Sequence, residues 1–208
     1  MSVKLPPKTV NHCYLCAAPL HHKVTWRKLL TPTKEPVICD KCHQRFERVT
    51  PEQQKYKDVT ALYHYNEPMK DFLHQYKFLK DVVLSEVFRE EIHQHLKDEQ
   101  TIIVPIPMHP EKQKERTFAH IDELLNAAGI PFTHLLEKIS PITQSSKTKI
   151  EREQSDQLFR LKVHEAIKPT HYILVDDIVT TGTTLQHAKS LLIEAGAEKV
   201  TALTLIQG

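Results

Sequence analysis

The sequence is poor in glycine and has none of the long apolar segments of membrane proteins. Its 208 residues include four glycines and one tryptophan. No apolar run approaches the ~20 residues that a membrane-spanning helix needs, so no membrane insertion is expected. The first residues, MSVKLPPKTVNHC, lack the apolar core of a secretory signal, and a cytoplasmic location is therefore expected. Because Gly-Lys-Ser and Gly-Lys-Thr are also absent, a Walker-type phosphate loop is excluded.

The composition is that of an ordinary folded protein of low net charge. Hydrophobic residues make up 40% and charged residues 26% of the chain, which excludes a disordered or fibrous protein. The net charge of +2 is too small to indicate a nucleic-acid-binding protein by itself. The length suits one medium domain with a small additional unit. All four cysteines precede residue 55, and we expect domains at residues 1–55 and 56–208.

Segments with the periods of strands and helices alternate from residue 56 onward. Met69, Phe72 and Tyr76 share one face of a predicted helix. A polar stretch, SPITQSSKTKIEREQSD, is interpreted as a long loop or flap. The strand-like segments are VTALYHY, TIIVPIP, PFTHLLEKI, HYILVDD and KVTALTLIQ. This alternation predicts an α/β fold with a five-stranded, mainly parallel sheet.

The four cysteines form two pairs with the spacing of a metal site. Cys13 and Cys16 form one CxxC pair, Cys39 and Cys42 form another, and 22 residues separate the pairs. Two such turns can supply a tetrahedron of four thiolates, which predicts a structural zinc ion. The alternatives are disulfides, which a cytosolic chain disfavours, and a redox CxxC, which needs only one pair. One thiolate could be replaced by a nearby histidine: His12, His21, His22 or His43.

A second pattern couples an acidic pair to a threonine-glycine loop. The segment YILVDDIVTTGTTL places Asp176 and Asp177 after a buried strand that starts at Tyr172. Backbone N–H groups at the start of the following helix suit a phosphate. The carboxylates suit ribose hydroxyls and Mg²⁺. The loop residues are Thr180, Thr181, Gly182, Thr183 and Thr184. The pattern predicts a site for 5-phosphoribosyl-1-pyrophosphate (PRPP) with Mg²⁺; the alternative is a solvent-facing acid pair before a capping threonine.

The segment VDDIVTTGTTL resembles the PRPP loop of type I phosphoribosyltransferases. With the CxxC pairs in front, the whole chain resembles the ComF family of competence proteins, of the ComFC/GntX type. Three further stretches carry the resemblance: residues 76–81, YKFLKD; residues 104–108, VPIPM, with Arg116 and Phe118 after them; and the pair Gln144 and Arg152. The resemblance implies a type I phosphoribosyltransferase fold. It also implies that PRPP contacts Lys77, Lys80, Pro107 and Arg116 in addition to the acidic pair and the loop.

The same resemblance implies a role in natural transformation, in which single-stranded DNA is taken up into the cytosol. The implied partner is the ATP-dependent competence translocase of the ComFA type. Direct contact with single-stranded DNA is a further hypothesis, because basic residues surround the cysteines and such residues can follow phosphates. These are Lys23, Arg27, Lys28, Lys34, Lys41, Arg45 and Arg48.

The chain departs from the family pattern beside the expected pyrophosphate position. Lys80 stands where the family usually has glycine, and Thr117, Ala119 and His120 replace the glycine, asparagine and glutamine of RGFNQ. Three functions are compatible with the sequence. They are an accessory of transformation, a working phosphoribosyltransferase of nucleotide metabolism, and a PRPP-sensing or DNA-binding regulator without turnover.

Overall fold

A computed structural model describes residues 10–20, 35–108, 115–139, 158–162 and 166–208. The chain divides into two compact units, residues 1–46 and 47–208. Within the described residues, no helix has both the length and the apolar character needed to cross a membrane.

The first unit is built around the two cysteine pairs. The turn after Cys13 is closed by its carbonyl, which accepts a hydrogen bond from the N–H of Ala17. Ala17 takes a left-handed φ of 56° that tightens this turn. The short helix α1, Asp40–His43, carries the last cysteine. The turn and the helix therefore give each cysteine pair a fixed local backbone.

The second unit contains a four-stranded parallel sheet in the order β1-β6-β5-β2. The expected α/β fold with a mainly parallel sheet is confirmed, but the prediction of five strands in that sheet is wrong for the described residues. The segment predicted as a further strand supplies β3, which pairs antiparallel with β4 in a separate two-stranded ribbon. The strands are β1 Val59–His64, β2 Ile102–Pro105, β3 Leu136–Lys138, β4 Phe159–Leu161, β5 His171–Val179 and β6 Lys199–Gln207.

The helices of this unit begin and end at residues with clear local reasons. The Asn66 side chain accepts a hydrogen bond from the N–H of Met69 and caps the first of them. Gly129, with φ of 68°, ends the helix that precedes β3. The helices are α2 Glu67–Lys77, α3 Arg89–Leu96, α4 His120–Ala128 and α5 Thr183–Glu194, with 3-10 turns at Pro51–Gln53 and Val82–Glu86.

Apolar packing fixes the sheet and its helices. Leu185, Ala188 and Leu192 of α5 belong to a buried cluster with Leu174 of β5 and Phe159 of β4. A second group is aromatic: the ring of Phe88 lies 5.0 Å from that of Tyr63 and 4.9 Å from that of Phe72. The strands are therefore held firmly, and side chains beyond their carboxyl ends are placed by a rigid frame.

Candidate functional site

The four cysteine thiols lie together in the first unit. Their sulfur atoms all lie within 4.8 Å of one another, and all four are free of disulfides. The sulfurs of Cys16 and Cys39 are 3.7 Å apart, and the N–H of Cys39 donates to the sulfur of Cys13 at 3.3 Å. Cys13 and Cys42 are buried. Four clustered sulfurs of this kind can hold one metal ion.

The two buried thiols, Cys13 and Cys42, have different environments. Burial raises the pKa of Cys13, but backbone hydrogen bonds from Cys39, Cys16 and Leu15 outweigh it and bring the pKa to about 7. For Cys42, burial and the neighbouring thiols raise the pKa above its ordinary value. Only a positive charge among the sulfurs would favour all four as thiolates.

The threonine-glycine loop connects β5 to α5. Thr180, Thr181 and Thr183 are exposed, and α5 begins at Thr183. Gly182 has φ of 75°, in the left-handed region that residues with a Cβ rarely adopt. The hydroxyls of Thr181 and Thr183 are 3.0 Å apart. The loop thus presents hydroxyls and the N–H groups of a helix start around one small hollow, which suits an anion such as phosphate.

The acidic pair lies inside the strand. The sequence predicted that the acidic pair lies at the C-terminal end of the strand, but β5 continues to Val179. Asp177 is buried at 5% exposure, whereas Asp176 is partly buried. An oxygen of Asp176 accepts a hydrogen bond from the N–H of Asp177 at 2.8 Å. Both carboxylates therefore belong to β5 and not to the loop that follows it, so the sheet fixes their positions.

Asp177 is held by two basic side chains from other elements. Lys77, at the end of α2, forms a salt bridge with its Oδ2 atom, and His120 Nε2 lies 3.2 Å from the same oxygen. On the other side of the ring, Arg116 Nη1 lies 3.4 Å from His120 Nδ1. Burial, together with the positive charges of Lys77 and Arg116, lowers the pKa of His120 to about 3.

The imidazole is therefore neutral near pH 7 and carries one proton. Because a guanidinium only donates, Nδ1 is the accepting nitrogen, and this proton lies on Nε2 of His120, which is 3.2 Å from Asp177 Oδ2. Nδ1 accepts from Arg116. Arg116 thus contacts His120, and His120 contacts Asp177. Lys77 contacts the same carboxylate directly.

Asp176 has a different electrostatic setting from its neighbour. Burial raises its pKa to about 7, although Lys77 and Lys138 act in the opposite direction. Near neutral pH this carboxyl is therefore divided between its protonated and charged forms. Ligand atoms of His120, Asp176 and Asp177 lie within 4.8 Å of one another, a spacing that suits a divalent cation.

A cavity of about 640 Å³ opens beside this cluster. It lies against Pro107, which follows β2, and against His120 at the start of α4. Lys138 and Lys162 add positive charge to its wall, and Ile106 and Leu136 add apolar surface. The cavity is large enough for a small organic molecule beside His120.

The structure brings most of the expected site residues together. Lys77 contacts Asp177 directly, Arg116 reaches it through His120, and Pro107 shares the cavity with His120. Lys80 is exposed in the turn after α2, with a left-handed φ of 59°, and does not line this cavity.

His120 was noted in the sequence only as a departure from the family pattern. A histidine four residues after Arg116, at a helix start, is the signal that could have marked it. Gln144 and Arg152 lie outside the described residues.

The basic residues around the cysteines are only partly described. Lys23, Arg27, Lys28 and Lys34 lie outside the described residues, as do His21 and His22. Lys41 and Arg45 are exposed on the first unit. Arg48 donates to Glu91 at 2.9 Å, so its charge is partly compensated within the second unit.

The chain is similar to several known proteins. The family model for the phosphoribosyl transferase domain matches residues 87–208. Competence protein ComFC of Streptococcus pneumoniae is 32% identical over 94% of this chain and 99% of its own length. Competence protein ComFC of Bacillus subtilis is 29% identical over 94% of each chain. A hypoxanthine phosphoribosyltransferase structure from Staphylococcus aureus is 17% identical, with a TM-score of 0.37 over 59% of this chain and 62% of that chain. The chain therefore belongs to the ComFC family of competence proteins, with a phosphoribosyl transferase domain in its second unit.

Proposed function

We propose that this chain binds PRPP with Mg²⁺ and serves natural transformation, aiding the uptake of single-stranded DNA into the cytosol. The observation that carries the binding proposal is the sequence of features along β5 and α5. Two carboxylates in a strand are followed within a few residues by a hydroxyl-rich loop at a helix start. The role in transformation rests on the ComFC relatives.

Each part of PRPP has matching groups in this site. The 5-phosphate suits the loop of residues 180–184, where hydroxyls and N–H groups converge. The ribose hydroxyls suit Asp176 and Asp177. The pyrophosphate with its Mg²⁺ suits the positive side chains of Lys77 and Arg116, with Pro107 and Lys80 as the further contacts that the family resemblance implies. Bound Mg²⁺ would neutralise phosphate charge beside the carboxylates.

A working phosphoribosyltransferase is the second candidate. The cavity of about 640 Å³ beside His120 favours it, because the cavity could hold an acceptor molecule. A PRPP-sensing regulator would need the binding site but no acceptor. Measurement of pyrophosphate release with candidate bases and amines separates these two possibilities.

Calorimetry with PRPP tests the binding proposal directly. We expect binding that requires Mg²⁺ and that is weaker for ribose 5-phosphate, which lacks the pyrophosphate. The D177N variant should bind more weakly, whereas D98N, which changes an exposed carboxylate after α3, should bind like the parent. Absence of PRPP binding in the parent would falsify the binding proposal.

A deletion strain tests the cellular role. In cells able to take up DNA, we expect deletion to reduce transformation while growth stays normal. A strain that transforms normally but needs a nucleotide precursor would point to the metabolic enzyme instead. Co-purification with the ComFA-type translocase tests that partner. A salt-dependent affinity for single-stranded DNA tests direct contact, since each neutralised phosphate releases counterions.

We further propose that the four cysteines hold one structural zinc ion. Four protein thiolates fill a tetrahedral site and leave no position for a substrate. Metal analysis should find about one zinc per chain, and the C16S variant should retain less. Because metal binding is coupled to folding in such units, the C16S variant should lose order in residues 10–20 and 35–46 while PRPP binding persists. Metal-free protein with all four thiols reduced would contradict the proposal.

A further inference from the structure

Tyr56 contacts the phosphate loop at two points. Its hydroxyl donates a hydrogen bond to the carbonyl oxygen of Thr180 at 2.7 Å. Its ring lies against Gly182, where a Cβ would come within 3.3 Å of the Tyr56 Cε1 atom. The first contact is at the start of the loop and the second is at its glycine. Together they restrain the loop at its first residue and at its glycine.

Hydrogen bonds connect the segment just before Tyr56 to β6, the last strand. The side chain of Gln207, buried at 3% exposure, donates to the carbonyl oxygen of Gln53 at 2.9 Å and accepts from the N–H of Lys55 at 3.3 Å. Gln207 pairs in register with Val179, the last residue of β5. The same region of the sheet therefore anchors both Tyr56 and the loop that it contacts.

The capping box of Thr50 and Gln53 adds to this rigidity. Thr50 and Gln53 bond each other's backbone at the start of the 3-10 turn Pro51–Gln53. The segment leading to Tyr56 is thus fixed at Gln53 and Lys55. A tyrosine on such a segment can hold a loop, since it loses little freedom on contact.

We propose that Tyr56 is a positioning residue that holds the loop of residues 180–184 in its anion-binding conformation. The hydrogen bond occupies the Thr180 carbonyl oxygen, whose partial negative charge would otherwise be available to oppose a phosphate. A Cβ at residue 182 would be tight against the ring, and the left-handed backbone there favours glycine as well. The ligand assigned to the loop rests on the proposed function, whereas the restraint of the loop by Tyr56 does not.

The Y56F variant separates the two contacts, since it keeps the ring and removes the hydroxyl. We expect ribose 5-phosphate and PRPP to bind about 5-fold more weakly, the effect of one lost hydrogen bond. The Y56A variant removes both contacts and should bind about 20-fold more weakly or worse. Magnesium pyrophosphate, which lacks the 5-phosphate, should bind all variants alike. Y65F, at a tyrosine that is 47% exposed, is the matched control.

Hydrogen exchange tests the restraint without any ligand. The amides of residues 180–184 should exchange faster in Y56F than in Y65F, while those of α4 stay unchanged. The Q207E variant loses the donor to Gln53, and it should act through Tyr56. Its effect on exchange should therefore be less than additive with that of Y56F.

The outcomes distinguish this inference from the proposed function. If the parent binds no PRPP but Y56F exchanges faster at the loop, the PRPP proposal fails and the role of Tyr56 stands. If exchange in the loop is the same in Y56F, Y56A and Y65F, the positioning role is overturned, whatever PRPP does. A uniform loss of thermal stability without a local change in exchange also overturns it.

Discussion

The two parts of the candidate site differ in exposure and in charge. The loop of residues 180–184 is largely exposed and carries no charged side chain. The acidic pair beside it lies in the sheet, and Asp177 is already paired with Lys77 and His120. The loop is therefore open to a ligand, whereas Asp177 already lies against two basic side chains of the protein.

This difference implies two kinds of binding step. At the loop, where Thr180, Thr181 and Thr183 are exposed, a phosphate would compete with the uncharged contact between the hydroxyls of Thr181 and Thr183. At Asp177, a ribose hydroxyl or a cation must share the carboxylate with Lys77 or displace it. Such an exchange costs free energy, because Lys77 and Asp177 are both largely buried. Affinity should therefore come first from the loop, and the acidic pair should add selectivity for ribose.

We expect the largest effect from G182V, which changes the exposed loop of residues 180–184. A β-branched residue resists the φ of 75°, and its Cβ would meet the ring of Tyr56. We expect PRPP affinity, measured by calorimetry, to fall about 100-fold or more. Gly129, with φ of 68° and no atom near its Cβ direction, is the matched control. G129V should lose stability but keep its affinity; equal losses of affinity would remove the special role of the loop.

D177N changes the buried ion pair between Asp177 and Lys77, and it should mainly affect the stability of the fold. It leaves Lys77 buried without its carboxylate, and we expect the free energy of unfolding to fall by about 3 kcal/mol. Chemical denaturation measures this change. The double variant K77M/D177N should recover much of the loss, because no unpaired charge remains. If D177N alone were as stable as the parent, the pairing of Lys77 with Asp177 would not contribute to stability.

A smaller, pH-dependent effect is expected at Asp176. Its pKa rises from 3.8 to about 7 on folding, so the folded state binds the proton more tightly than the unfolded state. Its contribution to stability is therefore present below the unfolded value and is lost as pH rises toward 7. D176N should flatten this decline and be more stable than the parent at pH 8.

The same titration predicts a trend in ligand binding. Between pH 6 and pH 8 the parent should bind PRPP with Mg²⁺ more tightly as Asp176 becomes charged, whereas D176N should bind weakly throughout. Calorimetry at several pH values checks this. A parent affinity that does not change with pH would contradict the assignment of Asp176 to the ligand.

H120Q is expected to have the smallest effect. It restores the glutamine usual in the family, and a glutamine can donate to Asp177 as the neutral imidazole does. We expect PRPP affinity to change by less than about 3-fold and stability by about 1 kcal/mol at most. H134Q, which alters the 3.0 Å contact with Asp122 instead, serves as the control. A large loss specific to H120Q would show that its contact with Arg116 matters to binding.

The loop and the cysteines were predictable from sequence because both are local patterns. The CxxC spacing and the segment from Tyr172 to Leu185 each indicate a kind of site within a short stretch of sequence. The alternation of strand and helix patterns predicts the α/β fold. Tyr56 was not predictable, because it meets Thr180 across 124 residues of chain. The pairing of Lys77 with Asp177 likewise depends on how α2 packs, which no local pattern specifies.

Two further features were missed for related reasons. β5 runs past the acidic pair because its partner β6 continues to Gln207 and supplies the hydrogen bonds. The segment at β3 has strand character, but its partner is the short β4 and not the main sheet. Strand pairing over long distances decides both outcomes, and a single sequence does not show it.

The pairing of Asp177 with Lys77 also has a kinetic consequence. Two bare carboxylates would repel a polyanion as it approaches and slow its encounter with the protein. Here one carboxylate is neutralised by an ammonium group and the other is partly protonated near pH 7. The acidic pair therefore opposes an arriving phosphate much less than two free carboxylates would, and the nearby positive charges of Arg116 and Lys138 can attract it.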